Sequence, residues 1–229
     1  MRFISQTSSD GVTEQFFTLD EVPGVLWSPE GARGPRPLIL LGHGGGQHKT
    51  APAAVSHARR YAAEGFAVVA IDAPNHGDRP QDEEFGRIAA AMRAGMHSYL
   101  ADQAVADWQA VLTAVQRLDQ VGVGPVGYCG MSMGCGLGIP LIAAEPRIRA
   151  AVLGLLGAHG LAEDAARVTV PVQFLVQWDD QMVPRDQSLA LFDALASADK
   201  TLHANPGRHG DVPPFEVDSS LRFFVRHLS

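Results

Sequence analysis

The chain has 229 residues, 46% of them hydrophobic, a formal net charge of −7 and two cysteines. That is enough apolar material for a sizeable core, and the length fits one α/β domain over residues 1–229. It has no basic run for nucleic acid or an anionic membrane, too few cysteines for a disulfide framework, and no window near the ~18 consecutive apolar residues of a membrane span. Residues 1–6, MRFISQ, lack the apolar segment of a secretory leader, so a cytoplasmic protein is expected.

In chain order, the Pro/Gly-rich stretch 29–37 reads as a loop before the first buried strand, 37–42, PLILLG. Helix-compatible residues follow over 52–64. A second apolar run, 66–71, stops at Asp72-Ala73-Pro74-Asn75. From 99 to 118 apolar residues recur at helical spacing, with Val105, Trp108, Val111, Leu112 and Val115 on one face. The strand 125–129 leads into GYCGMSMGCG and a helical segment to about residue 144, and further apolar runs lie at 148–156 and 170–177.

Continuous apolar strands, alternating with helices, point to a mostly parallel, doubly wound sheet covered on both faces. Ligands of such sheets bind at the carboxyl ends of the strands. That rule gathers the loops starting at His43, Asp72, Ser132, Gly157, Asp179 and Asn205 on one rim. No internal repeat or interdomain linker interrupts the pattern.

Within that order, Gly130-Met131-Ser132-Met133-Gly134 spells G-x-S-x-G between a strand and a helix. This is the context in which the motif forms a turn that exposes a nucleophilic serine. A serine hydroxyl is a weak nucleophile unless a base takes its proton and a third group orients that base. Downstream come the adjacent Asp179 and Asp180, then His203 and His209. The order serine, aspartate, histidine suits such a site, although the residues alone do not separate the two aspartates. His203 lies inside a strand and is expected to be structural; His209 sits in a glycine-flanked turn.

With His43-Gly44-Gly45-Gly46, the G-x-S-x-G segment, Asp180-Gln181-Met182-Val183-Pro184 and Gly207-Arg208-His209-Gly210 in this order, the chain resembles the α/β-hydrolase superfamily over about residues 36–228. It is similar to the compact dienelactone hydrolases and small carboxylesterases. The resemblance implies Ser132 as nucleophile, His209 as general base and then acid, and Asp180, selected by the pattern D-x-x-V-P, as the residue orienting His209. It implies an oxyanion hole from the backbone N–H groups of Met133 and Gly45, with Gly44 the alternative. Dienelactone hydrolases carry cysteine as nucleophile, and here serine stands there. That departure argues against dienelactone itself as substrate and favours ester hydrolysis; a carboxylic ester of short or medium acyl chain is expected. A thioesterase, acyl-peptide hydrolase or acyltransferase would use the same residues, and a non-catalytic binding module would be expected to lack one of them.

The remaining signals are weaker. His43, His48, His76 and His97 lie on separate segments without metal-ligand spacing, so no metal site is expected, nor is a site for a nucleotide or flavin. His43 is expected to shape its loop. Residues 75–79, NHGDR, read as a glycine-closed turn or, through His76, a substrate contact. Cys135, three positions beyond Ser132, is expected to pack in the core. Only 158–169 separates two strands where a cap could be inserted, so no large cap is expected. The longer Ala/Met-rich connection 73–98 is a candidate pocket wall. Met131, Met133 and Trp178 flank the site and, with Gly44 and His76, are the candidate substrate contacts. Oligomeric state is not written in the sequence.

Overall fold

The computed structural model describes residues 1–80 and 98–228. The strands β1 (Arg2–Ser9), β2 (Val12–Leu19) and β3 (Val22–Pro29) come first. After them run β4 (Leu38–Gly42), α1 (Pro52–Ala63), β5 (Ala67–Ile71), α2 (Ser98–Val115), β6 (Val126–Met131) and α3 (Met133–Ala144). The chain ends with β7 (Ile148–Gly154), α4 (Ala162–Ala165), β8 (Val172–Gln177), α5 (Arg185–Ala194), β9 (Lys200–Asn205) and α6 (Phe215–Leu228). The strands form one nine-stranded sheet in the order β1-β2-β3-β5-β4-β6-β7-β8-β9. From β5 to β9 every neighbouring pair is parallel, as expected of a doubly wound sheet. The additions are β1, β2 and β3, an antiparallel meander that joins the sheet through β3 and β5.

The continuous apolar strands have the two-sided burial inferred for them. In β4, Leu38 and Leu40 enter one core cluster while Ile39 and Leu41 enter the other. One face is covered by α1 and α6, through Ala58, Tyr61, Leu221 and Phe224. The opposite face takes Trp108, Val111, Leu112 and Val115 of α2, Ile139 of α3 and Leu191 of α5. The stripe read from helical spacing in α2 is therefore a core face. Tyr128 of β6 stacks edge-on with Trp108, ring centroids 6.3 Å apart, which ties this strand to that helix.

From β4 the chain winds first to β5 on one side and then returns, through α2, to β6 on the other. The crossovers diverge at this point, and sheets of this kind bind their ligands beyond the carboxyl ends of the strands there. The glycine loop after β4 and the serine after β6 both lie at that end. No large cap separates the strands among the described residues, and no helix there is long and apolar enough to cross a membrane. Residues 81–97, the greater part of the expected pocket wall, lie outside the described residues.

Candidate active site

Ser132 occupies a single-residue turn between β6 and α3, with φ 54° and ψ −122°. This backbone conformation is costly for a non-glycine residue and persists only where the surroundings impose it. Its N–H donates to the carbonyl of Gly154 at 2.9 Å, and its own carbonyl accepts the N–H of Gly136 at 3.1 Å. Two glycines make room for the turn. A Cβ on Gly130 would lie 2.6 Å from the Gly134 carbonyl oxygen, and one on Gly134 would lie 2.9 Å from that of Gly42. The G-x-S-x-G spacing thus follows from backbone packed against backbone.

Three side chains from three loops then meet. Ser132 Oγ lies 3.0 Å from His209 Nε2, and His209 Nδ1 lies 2.7 Å from Asp180 Oδ2. A carboxylate can only accept, so Nδ1 carries the proton and Nε2 is left to accept from the serine hydroxyl. Asp180 is fixed in turn, since its Oδ1 accepts the N–H groups of Met182 at 2.7 Å and Val183 at 3.0 Å. Its side chain is 3% exposed and that of His209 13%, so the pair is largely shielded from water. Asp179 is exposed, and its carboxylate accepts the Gly207 N–H at 3.4 Å. His203, in β9, bonds through Nδ1 to the buried Glu216 at 2.9 Å. The arrangement can deprotonate a serine at the moment of attack and return the proton to a leaving group.

Met133 is the first residue of α3, where a backbone N–H has no carbonyl one turn earlier to receive it. Gly45 lies against it: a Cβ built on Gly45 would be 3.8 Å from the Met133 Cβ. The two expected oxyanion donors are therefore neighbours. The Gly44 N–H is engaged by Gln47 Oε1 at 3.3 Å, and Gln47 N–H donates back to the Gly44 carbonyl. Gln47 was not singled out by the sequence, and nothing in its spacing marks it.

Behind this loop, His43 is buried and accepts the Ala73 N–H on Nε2 at 3.0 Å, so its Nδ1–H donates to the Gly44 carbonyl at 2.9 Å. Burial holds its imidazole below the ordinary value, against the opposing pull of that carbonyl, and so keeps it neutral. His43 thus pins the glycine loop to the end of β5, the structural role expected of it. His76 is also buried: its Nδ1–H donates to the Pro74 carbonyl at 2.9 Å and its ring lies 5.3 Å from that of His43. Two turns follow one another here, His76 N–H on Ala73 O and Arg79 N–H on His76 O, the second lying within the turn read at 75–79. Beneath them Lys49 Nζ contacts the fully buried Asp72 and also Asp78, each at 2.6 Å. Desolvation opposes both charges, but their mutual hydrogen bonds prevail, leaving Asp72 below and Lys49 above their ordinary values.

Of the other candidates, Met131 and Met133 are partly buried beside the serine. Trp178 is 45% exposed at the end of β8, with the Arg185 guanidinium 4.2 Å from its ring centroid. Cys135 and Cys129 are buried, and burial pushes both thiols up to about 12. No metal-binding group of histidines, cysteines and carboxylates occurs among the described residues.

The parallel sheet with flanking helices, the serine turn after β6 and the histidine loop after β9 together have the architecture of an α/β-hydrolase. Comparison narrows this: the dienelactone hydrolase family matches residues 22–209, and the chain belongs to that family. A cold-adapted esterase from an Arctic intertidal metagenomic library, in a PEG-bound complex, is 34% identical, with 100% of each chain covered and a TM-score of 0.88. Acetyl xylan esterase 1 from Thermoanaerobacterium sp. JW/SL YS485 superposes with a TM-score of 0.77 at 20% identity, covering 98% of this chain and 87% of that one. A dienelactone hydrolase from Anabaena variabilis gives 0.68 at 21% identity, over 94% and 99%. A comparison with curated protein sequences finds no match.

Proposed function

We propose that this chain is a serine hydrolase of carboxylic esters with short or medium acyl chains, acting as one domain through an acyl-enzyme. The observation that carries the proposal is the continuous chain from Ser132 Oγ through His209 to Asp180. Membership of the dienelactone hydrolase family and the likeness to esterases support the ester as substrate class.

In this reading His209 Nε2 takes the Ser132 proton as Oγ attacks the ester carbonyl. Negative charge moves to the carbonyl oxygen, where the N–H groups of Gly45 and Met133 receive it; such preorganised donors are often the largest contribution to acyl transfer. Asp180 keeps the imidazole in the correct tautomer and stabilises its protonated form. His209 then gives the proton to the departing alcohol, leaving the acyl group on Ser132. A water molecule, deprotonated by His209, attacks the acyl-enzyme, and the acid is released as the proton returns to Ser132. The partly buried Met131 and Met133 give this side of the site an apolar character suited to a short acyl chain.

The experiment is hydrolysis of p-nitrophenyl acetate, butyrate and hexanoate by the wild type, Ser132→Ala and His209→Ala. Turnover that declines with acyl length and drops by about 1000-fold or more in either variant supports the reading. Full turnover in a folded Ser132→Ala variant rejects it.

A further inference from the structure

Gln177 is the last residue of β8, fully buried at 0% exposure, and none of the steps above uses it. Its Nε2 lies 3.3 Å from the carbonyl oxygen of Pro206 and 3.2 Å from that of Arg208, the residues on either side of Gly207 and just before His209. Its Oε1 is buried and has no hydrogen-bond partner among the described residues. The neighbours determine the amide's orientation. Both are carbonyl oxygens, which only accept, so the NH2 group must face them; the opposite rotamer would press three oxygens together. Burying an acceptor without a donor is unfavourable. A side chain of similar length without polar atoms would avoid that, so the amide is explained by what its two N–H groups hold.

We infer that Gln177 is a positioning residue for His209: it fixes the loop at 206–209 to the end of β8, so that the imidazole meets Asp180 and Ser132 at once. This inference rests on the roles proposed above for those three residues. The β8–β9 ladder ends at the pair Gln177 and Asn205, and two more backbone bonds, Trp178 N–H to Asn205 O and Asp179 N–H to Gly207 O, complete it. Beyond them the loop must turn through Gly207 at φ +113°, a conformation that side-chain-bearing residues rarely adopt. The side chains that hold its backbone N–H groups come from exposed residues: Asp179 on the Gly207 N–H, Asp211 on the Arg208 N–H at 2.9 Å and Gln181 on the His209 N–H at 3.2 Å. Water competes for each of those three. The Gln177 bonds come from a fully buried side chain, and they grip the backbone on both sides of the glycine.

The test compares the wild type with Gln177→Met, which keeps length but removes both donors, and Gln177→Asn, whose amide is one methylene too short to reach. Each is assayed as the full chain, with kcat normalised to the serine titrated by a fluorophosphonate. For Gln177→Met the expected result is a kcat per titrated serine reduced roughly tenfold or more, KM within about twofold, and a thermal midpoint equal to or above that of the wild type. Gln177→Asn, which also loses both bonds, shows a comparable loss of kcat, and decides the matter should Gln177→Met fail to fold. The low-field proton resonance of the His209–Asp180 hydrogen bond, sharp in the wild type, broadens in both. A folded variant with unchanged kcat per serine and an unchanged resonance would overturn the inference, even if less serine were titratable. Wild-type labelling at Ser132 alongside such a variant rejects Gln177 alone. Failure of the wild type to label rejects the underlying assignment and this inference with it.

Discussion

Asp180 and His209 are joined by a 2.7 Å hydrogen bond between Oδ2 and Nδ1, while the second carboxylate oxygen of Asp180 is held by the backbone N–H groups of Met182 and Val183. The carboxylate therefore has no rotational freedom of its own. In Asp180→Asn those two N–H groups keep the amide oxygen, which turns the NH2 toward His209 and forces the imidazole into the tautomer that cannot accept from Ser132. The expected outcome is a loss of about 1000-fold or more in kcat for p-nitrophenyl acetate, with the thermal midpoint little changed. Asp179→Asn, at the exposed neighbour, is expected to stay within about twofold of wild type.

The Lys49–Asp72 pair gives a stability prediction with a defined pH window. Asp72 sits below its ordinary value of 3.8, so its contribution is complete above that pH and is lost as pH falls through the lower folded value. Lys49 sits above 10.5, so its contribution is complete below that pH and is lost as pH rises through the higher folded value. Between these limits the pair contributes a constant amount. Asp72→Asn leaves a buried ammonium with only the exposed Asp78 beside it, and is expected to cost about 3 kcal/mol at neutral pH. Urea denaturation at pH 3, 5, 7 and 9 checks this, and the acid decline should be shallower in the variant.

The glycines around the serine are close to backbone that cannot yield. Gly134→Ala would set a methyl group 2.9 Å from the Gly42 carbonyl and 3.0 Å from that of His43, at the base of the glycine loop. The expected cost is about 1–3 kcal/mol in stability. Because the glycine loop and the serine turn are both displaced, kcat should fall with it. Thermal denaturation and ester turnover on the same preparation measure the two effects together.

The thiols at Cys129 and Cys135, pushed up to about 12 by burial, are protonated throughout the working range. Ellman's reagent should find neither in the native protein within minutes and both once urea has unfolded it. Iodoacetamide should leave esterase activity unchanged. Rapid native reaction coupled to inactivation would instead mark Cys135 as part of the chemistry.

Much of this architecture was legible because buried parallel strands are written as unbroken apolar runs. The runs at 37–42, 66–71 and 170–177 became β4, β5 and β8 to within two residues. The antiparallel meander was not legible. All eight residues of β1 are exposed, so no in-out alternation is imposed on RFISQTSS, and β3 carries Pro23 and Gly24 near its start. The residues that the motifs singled out, Ser132, Asp180 and His209, lie in one hydrogen-bonded chain, because a chemical motif constrains residue type and order at once. The supporting residues carried no such mark. Lys49, Asp72 and Gln177 act through contacts between loops distant in sequence, and Gln47 through a contact within its own loop; a glutamine closing an apolar strand, as Gln177 does, was the trace that its burial left in the sequence.

Intact-mass labelling with a fluorophosphonate, wild type beside Ser132→Ala, asks directly whether Ser132 is the nucleophile. A single adduct is expected in the wild type, mapped to Ser132, and none in the variant. An adduct that persists in Ser132→Ala, or a folded wild type that hydrolyses esters without being labelled, would contradict that assignment.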